Sequence, residues 1–556
     1  MKKIAVTLFA LLLSAVFLSA CGSKEPGVDP DTHKITVYRY QALGDVDGTE
    51  DEKVMNALAD KFYADTGIKI RLQVDYYSHS VLPTKVDSNW TKKSADMDGV
   101  LHYVSEDHGC ATLRYATSKD TVRDFEPLVS EYGQNIMKYL SMNDENAVRR
   151  MSCYTNVEGE FKMNYLITAK EENLFGLLVR KDYMREVQSI TGLDPEKYDA
   201  LNENYEHMTI TQFSNLLYAL KQHFDGTQLK YPLVGAPWDI NYTIAPALEA
   251  DCYSIQQEAD GRYAPAQFSP QVAEWYDLIQ QWAADGVWES EAASVADSMR
   301  RSWFVAGQAA VYAAYPTVEN IITAKRYLEK NNPSAEYMVI APLADKNGVV
   351  HGYGNNGSPD GLIIPNKSDD AEVLVQYIDW LYSDPDNYEL AEYGIKGEHW
   401  VEGEDRVVGG KTYKTWVYPD GKEDQFNENP PYSGKYNLLE NIYVSHRVRG
   451  DYDTTELTWY DLITDKFEVY HSNKIEGIWI GSCPREFASQ FNVIDGNYVD
   501  NVRSYAWAGL LNDGKTASEC LSEYVASCHA QQQGYLDWLN ELVAEAKQFK
   551  QSKFGV

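Results

Sequence analysis

The chain has 556 residues, with 83 acidic side chains against 50 basic ones and a formal net charge of −33. That length accommodates two or more domains, and 44% hydrophobic with 24% charged residues is a globular composition. So acidic a surface repels nucleic acid and anionic lipid headgroups, which excludes partners recognised through a basic face.

At the N-terminus, Lys2 and Lys3 precede an apolar run over residues 4–18, too short for a membrane span. Ser19 and Ala20 then lead to Cys21, and "LSAC" resembles the lipobox of bacterial lipoproteins. The resemblance implies that residues 1–20 are a removed signal peptide and that the Cys21 thiol carries diacylglycerol. Two acyl chains suffice for durable anchoring, at about 0.8 kcal/mol per buried methylene. An ordinary cleaved leader with a coincidental cysteine is the alternative. Residues 21–33 read as the lipidated cysteine and a flexible tether, with Pro26, Gly27 and Pro30. No later segment approaches 18 consecutive apolar residues, so the body is expected to be soluble.

In the body, "KITVYRY" alternates as a strand, and "DEKVMNALADKFYADTG" has apolar residues at helical spacing with Gly67 as its stop. "IKIRLQV" alternates again, giving a βαβ unit and hence a parallel sheet. "DGVLHYV" is a further strand, ending in polar and aromatic residues where α/β sheets place ligands. "DFEPLVSEYGQNI" reads as a loop at Pro127 followed by a short helix. "NLFGLLVRKDYMREV" is a buried strand running into a helix. Thr209 or Thr211 caps "MTITQFSNLLYALKQHF"; Ser269 caps the helix that Pro270 opens and Gly286 closes. A strand over residues 309–314 follows, then one in "EYMVIAPL". "GLIIPNKSDDAEVLVQYIDWLYSDPDNYELAEYG" is strand, turn, helix, helix, with Ser368 as the first cap, Asp384-Pro385 between the helices and Gly394 at the end. Residues 401–440, rich in Gly, Pro, Lys, Asp and Tyr, read as an irregular insertion with a hairpin-like "PDGK". Residues 519–554 are helical.

Besides Cys21, the cysteines are Cys110, Cys153, Cys252, Cys483, Cys520 and Cys528. None forms a C-x-x-C pair, which argues against a zinc ribbon or thioredoxin-like site. An extracellular location permits disulfides, but spacing leaves the pairing open. Cys520 and Cys528 stand about 12 Å apart along one helix, too far to bridge if it is straight.

The order of blocks is more specific than any one of them. A lipobox leads to β-α-β ending in "TGIKI", then "DFEPLVSEY", "RKDYMREV", "WAADGV", "FVAGQAAVYAAYP", "YMVIAPL", "IIPNKSDDAEVLVQYIDWLYSDPDN" and "YGIKGEHW". This series resembles extracellular solute-binding protein family 1, the sugar-binding lipoproteins of ABC importers, and most of all the large Gram-positive branch. The resemblance implies an α/β, periplasmic-binding-protein-like (type II) fold. Its two discontinuous lobes are joined by a hinge, with a C-terminal helical extension. Mapped onto this chain, lobe one is 34–168 plus 312–367, and lobe two is 169–311 plus 368–556. It also implies a monomer without catalytic residue, cofactor or metal, held on the outer face of the bacterial cytoplasmic membrane. Its partners are a carbohydrate, the permease subunits and, through Cys21, the lipid bilayer.

Tyr outnumbers Phe 41 to 16, and there are 13 Trp. A sugar ring offers an apolar face to aromatic rings and a rim of hydroxyls to polar groups. Candidates at strand ends facing the implied cleft are Tyr40, Gln41, Trp90, His102, Tyr103, Trp238, Asp239, Tyr242, Tyr312, Tyr315, Asn355 and Asn356. The glycines of "GYGNNGSPDG" allow close backbone approach to a ligand. Two alternatives stay open: the same transport role for a peptide or other small solute, and an anchored glycoside hydrolase. "GLLNDGKT" matches a phosphate-loop pattern but lacks a buried strand before it, and an Asn-Asp-Gly turn explains the same letters. "GDVDGTEDE" has its glycine too early for an EF-hand.

Overall fold

The computed structural model describes residues 31–40, 49–78, 81–90, 96–103, 121–142, 150, 153–157, 159–169, 177–250, 252, 255–258, 260–265, 268–289, 295–313, 318–351, 360–422, 434–464, 467 and 514–555. Residues 1–20 and Cys21 lie outside them, as do Cys110 and Cys483. Among these residues no helix is long and apolar enough to cross a membrane.

Two mixed sheets organise the chain. Strand β1 (His33–Tyr40), helix α1 (Thr49–Thr66) and strand β2 (Ile70–Tyr77) form the expected βαβ unit, with β1 and β2 parallel. Val54, Leu58 and Phe62 of α1, at one-turn spacing, are buried. Helix α2 (Leu82–Trp90) leads toward β3 (Gly99–Tyr103), which is parallel to β1. Next come α3 (Phe125–Tyr132), α4 (Gln134–Tyr139) and β4 (Leu166–Ile167). The Asp124 carboxylate accepts from the Glu126 amide, so α3 starts at Phe125 and takes in Pro127; the expected loop there is the helix's first turn.

The chain then enters a second body: β5 (Leu177–Arg180), α5 (Ile210–His223), β6 (Tyr231–Gly235), α6 (Pro237–Thr243), α7 (Pro270–Ala284), α8 (Asp297–Val305), β7 (Ala309–Ala313), α9 (Val318–Asn331) and β8 (Tyr337–Ile340). Thr209 and Ser269 cap α5 and α7 as their sequences require. Gly286 takes φ +65° after α7, a conformation that side-chain-bearing residues rarely adopt. The sheet runs β8-β5-β7-β6, with β6 and β7 parallel and β5 antiparallel to both neighbours.

Strand β9 (Asp360–Ile363) returns to the first sheet and lies between β3 and β4, antiparallel to both; the order there is β2-β1-β3-β9-β4. Helices α10 (Ala371–Ser383) and α11 (Pro385–Tyr393) pack behind it, with Leu374, Tyr377, Ile378 and Leu381 in the first core.

This packing moves the expected boundaries. Residues 312–313 and 318–340, expected in lobe one, belong to the second body: β7 pairs with β5 and β6, β8 pairs with β5, and α9 packs into its core. Residues 368–400 and 434–444, expected in lobe two, pack on the first. Tyr377 and Tyr382 donate to the carbonyls of Tyr436 and Leu439 at 2.8 and 2.9 Å, and the Asn441 amide donates to the Tyr388 hydroxyl at 2.7 Å. The crossover strand is β9, not β7. A parallel β6–helix–β7 unit closes on its own sheet, and residue periodicity does not say which sheet a strand joins. Ser368 does not cap α10. Its hydroxyl donates to the Asp98 carboxylate at 2.8 Å and accepts from the amide of Asp370, the residue at the cap position, at 3.2 Å.

The expected irregular insertion at 401–440 contains short strands, among them β10 (Val401–Glu402) and β11 (Thr415–Val417), which form one small sheet with β12 (Val448–Arg449) beyond it. It joins the bodies. Arg447 pairs with Glu389 of α11 at 2.7 Å, while Tyr413 and Val448 lie in the core of the second body. Helix α12 (Thr454–Thr464) follows there, its Glu456 bound by Lys325 and Arg326 of α9.

Helices α13 (Ala517–Gln531) and α14 (Gln533–Phe554) end the chain. Thr516 accepts from the Glu519 amide as a helix cap, so the "DGKT" letters serve a helix start. Tyr535, Leu536, Leu539, Leu542 and Val543 of α14 are in the second core, whereas Phe549 and Phe554 pack on the first. Phe549 stacks on Phe161 at 4.6 Å, and Lys553 pairs with Glu126 at 2.5 Å. Cys153, Cys252, Cys520 and Cys528 are buried thiols without a disulfide, and burial pushes Cys153 up to about 12 and Cys528 to about 11.

Candidate functional site

The C-terminal edges of the parallel strands are where an open α/β sheet presents ligand-facing residues. In the second body that edge is built by β6, β7 and α6. Gly235 ends β6 beside Ala313 of β7. A Cβ on Gly235 would stand 2.7 Å from the Ala313 Cβ, so glycine lets the two strand ends close together. The Gly235 carbonyl accepts from the Trp288 indole at 3.0 Å, which fixes where the chain turns.

Helix α6 then opens with Pro237 in its first turn. Ala236, in the cap position, has no side-chain acceptor, and Asp239 answers from inside the helix: its Oδ2 accepts from the Ala236 amide at 3.0 Å. Trp238 and Tyr242, four residues apart, share one face of the helix. Trp238 is 44% exposed and Tyr242 is half-buried. The opposite face is locked inward, with the Trp275 indole donating to Asn241 at 2.7 Å and the Thr243 hydroxyl to the Asp239 carbonyl at 2.7 Å.

An ionic layer lies under this helix. Arg300 and Glu289, both fully enclosed, form an ion pair. The Asp239 Oδ1 has no hydrogen-bond partner and is buried. Burial, the nearby Asp297 carboxylate and, more weakly, Glu289 hold its carboxyl well above the usual range, while Arg300 opposes them. Asp297 accepts from the Tyr312 hydroxyl at 3.1 and 3.0 Å.

In the first body, β1, β2 and β3 bring Tyr40, Tyr77 and Tyr103 to one edge, with Tyr40 opposite Tyr77 and Tyr103 opposite Asp360 in register. Tyr38 and Tyr77 meet edge to face at 5.0 Å, and Asn89 of α2 donates to the Tyr38 hydroxyl at 2.9 Å. The Lys85 ammonium stands 5.5 Å from the Tyr77 ring centre.

Of the residues singled out from sequence, Trp238 and Tyr242 are the two whose described side chains reach the surface at a strand edge. Tyr40, His102 and Tyr103 end β1 and β3, and Trp90 ends α2; their side chains lie outside the described residues, as do Gln41, Tyr315, Asn355 and Asn356. Two are corrected. Tyr312 is fully enclosed, because both faces of β7 are covered and its hydroxyl is taken by Asp297. Asp239 is also fully enclosed and serves the helix start instead of facing a solute. Sequence reading passed over Tyr77, although strand alternation could have marked it. It also missed Glu289, Asp297 and Arg300, which no local pattern links.

No protein-family model matches the chain, and no curated protein matches it. Solved structures do. The N-glycan transport solute-binding protein NgtS from Streptococcus pneumoniae superposes with a TM-score of 0.60 at 11% identity, over 93% of this chain and 100% of that one. The alginate-binding protein AlgQ2 gives 0.61 at 14% identity, over 93% and 98%. An HMO-binding, ABC-transporter-associated solute-binding protein from Bifidobacterium longum infantis gives 0.61 at 11%, over 93% and 99%. The chain has the two-lobed α/β fold of solute-binding proteins. The structures it resembles are those of binding proteins, and the two bodies described above correspond to the lobes of that fold.

Proposed function

We propose that this protein is the sugar-binding lipoprotein of an ABC importer, capturing an oligosaccharide between its lobes and passing it to permease subunits. The observation that carries the reading is Trp238, a half-exposed indole with Tyr242 beside it, held at the strand edge of lobe two by a capped helix. An indole left in water at such an edge covers the C–H face of a sugar ring, and the tyrosine hydroxyl adds a polar handle. Contacts from both lobes favour the closed state, and closure is what a permease reads. The carbohydrate ligands named for NgtS, AlgQ2 and the Bifidobacterium protein support the ligand class. No chemistry on the solute is required. Cys21, diacylated, would hold the receptor on the outer face of the cytoplasmic membrane, and residues 22–33 would let it reach the permease.

A thermal-shift screen over oligosaccharides and short peptides tests the reading, since a ligand of the native state raises apparent stability with the logarithm of its concentration. Oligosaccharides should shift the transition and peptides should not; the reverse would overturn the sugar assignment, and product formation from a saccharide would overturn the binder. Trp238→Ala should weaken the best saccharide at least about tenfold, about 1.4 kcal/mol, with unliganded stability changed by less than about 0.5 kcal/mol.

A further inference from the structure

Two groups of three metal-ligating side chains stand apart from the aromatic platform among the described residues. In the first, Glu50, Glu398 and His399, the charge is already met, because the Lys53 ammonium donates to Glu50 and to Glu398 at 2.8 Å each. The His399 Nδ1 accepts from the Ile395 amide at 3.0 Å, so its Nε2 carries the proton that it shares with Glu50 at 2.8 Å. A protonated ring nitrogen does not ligate a metal.

The second group is arranged differently. Glu249 follows the short turn Ala245–Leu248 behind α6, while Asp345 and His351 lie on the segment that leaves β8 for β9. Residues 344–350 of that segment form a hairpin, pinned by an Ala344–Val350 bridge and by the Asp345 amide donating to the Val349 carbonyl at 2.7 Å. The Asp345 Oδ1 accepts from the Val349 and Asn347 backbone amides at 2.8 Å each, which holds the carboxyl below its usual range, and Oδ2 faces His351 with the Asn347 side-chain amide 3.4 Å away. The His351 Nε2 stands 3.4 Å from that oxygen and 3.9 Å from the Glu249 Oε1. Among the described residues no lysine or arginine pairs with either carboxylate.

The spacing is informative. A charge-assisted hydrogen bond would close to about 2.7–2.9 Å, whereas two ligand atoms about 2.0–2.1 Å from a tetrahedral zinc stand about 3.3 Å apart. Two carboxylate oxygens and one imidazole nitrogen make a mixed set that suits a borderline transition ion and disfavours calcium, which takes six to eight oxygens. We propose that Glu249, Asp345 and His351 form a divalent transition-metal site, best suited to Zn²⁺. It would tie the turn behind α6 to the crossover from lobe two to lobe one. Glu249, whose side chain is 57% exposed, closes the remaining gap by a rotamer shift.

The test does not depend on the sugar reading. The chelator-stripped full chain is titrated calorimetrically with ZnCl₂, and in parallel with MnCl₂ and CaCl₂. One zinc per chain is expected, with manganese weaker and calcium weakest. Glu249→Gln and His351→Gln should each weaken zinc at least tenfold; Glu398→Gln, in the group that Lys53 neutralises, should not. Cobalt substitution should give a visible absorption band that His351→Gln abolishes. Absent saturable zinc binding, or equal binding by the Glu249 and His351 variants and the parent, would overturn the site. Calcium binding as tight as zinc would overturn the assignment of ion.

Discussion

Each lobe sets an aspartate beside its sheet, Asp98 partly buried and Asp239 fully enclosed, and the two are treated in opposite ways. Asp98 stands at the N-terminal end of β3, away from the strand edge that carries the aromatics. Its two oxygens accept from the Thr36 amide at 2.9 Å and the Ser368 hydroxyl at 2.8 Å, so that the carboxyl stitches β1, β3 and the approach to α10 together. Asp239 stands at the C-terminal end of β6, directly under the aromatic pair, with one oxygen bonded and the other without a partner. Burial raises both carboxyls above their usual range, Asp239 much further. The contrast separates a pole built for stability from one where incomplete satisfaction is tolerated beneath the proposed binding surface.

Four measurements can break or sharpen that contrast. The largest effect is expected around Asp239. Arg300→Ala should cost about 3–5 kcal/mol in denaturant unfolding, because it removes the ion-pair partner of the enclosed Glu289 carboxylate and the positive charge that opposes the shift at Asp239. A loss below about 1 kcal/mol would mean the layer is not electrostatically organised. Next comes His446, near the small sheet that joins the lobes, which burial pushes down to about 4. Its folded value is depressed, so neutral imidazole is preferred in the fold and stability is lost as pH falls from about 6.5 to about 4. The expected loss is about 3 kcal/mol, and His446→Gln should flatten it. Asp98→Ala should cost about 2–3 kcal/mol through two abandoned donors. Asp239→Asn should lie within about 1 kcal/mol of the parent at pH 4. A raised acid contributes stability that is full below its unfolded value of about 3.9 and is lost as pH rises. The Asn variant should therefore become the more stable protein toward neutral pH; a parent that gains on the variant over that range would reverse the contrast.

Local signals carried most of the elements: the βαβ start, the Thr209 and Ser269 caps, Pro270, Gly286 and the Asp384-Pro385 junction all act as their chemistry dictates. Membership of a lobe did not follow from them. β7 reads as a buried strand in either sheet, and only pairing with Tyr231, Leu233 and Val234 places it in the second. The site was legible in part for the same reason. Trp238 is visible as an aromatic after a strand-ending Gly-Ala-Pro, but whether its neighbour Asp239 faces out or in depends on the turn that Gly235 permits and on Arg300 far along the chain. Tyr312 has the right residue type at a strand end, yet β7 is covered on both faces.

The order of the first sheet has a consequence for biogenesis. Strand β9, residues 360–363, fills the place between β3, residues 99–103, and β4, residues 166–167. Until β9 emerges, β3 has an open edge and β4 has no partner in the sheet, and all of the second lobe's sheet is synthesised in that interval. The first lobe therefore cannot finish on the ribosome ahead of the second. The export proposed above would gain from that order, because the first lobe stays unfinished, and threadable, until most of the polypeptide exists.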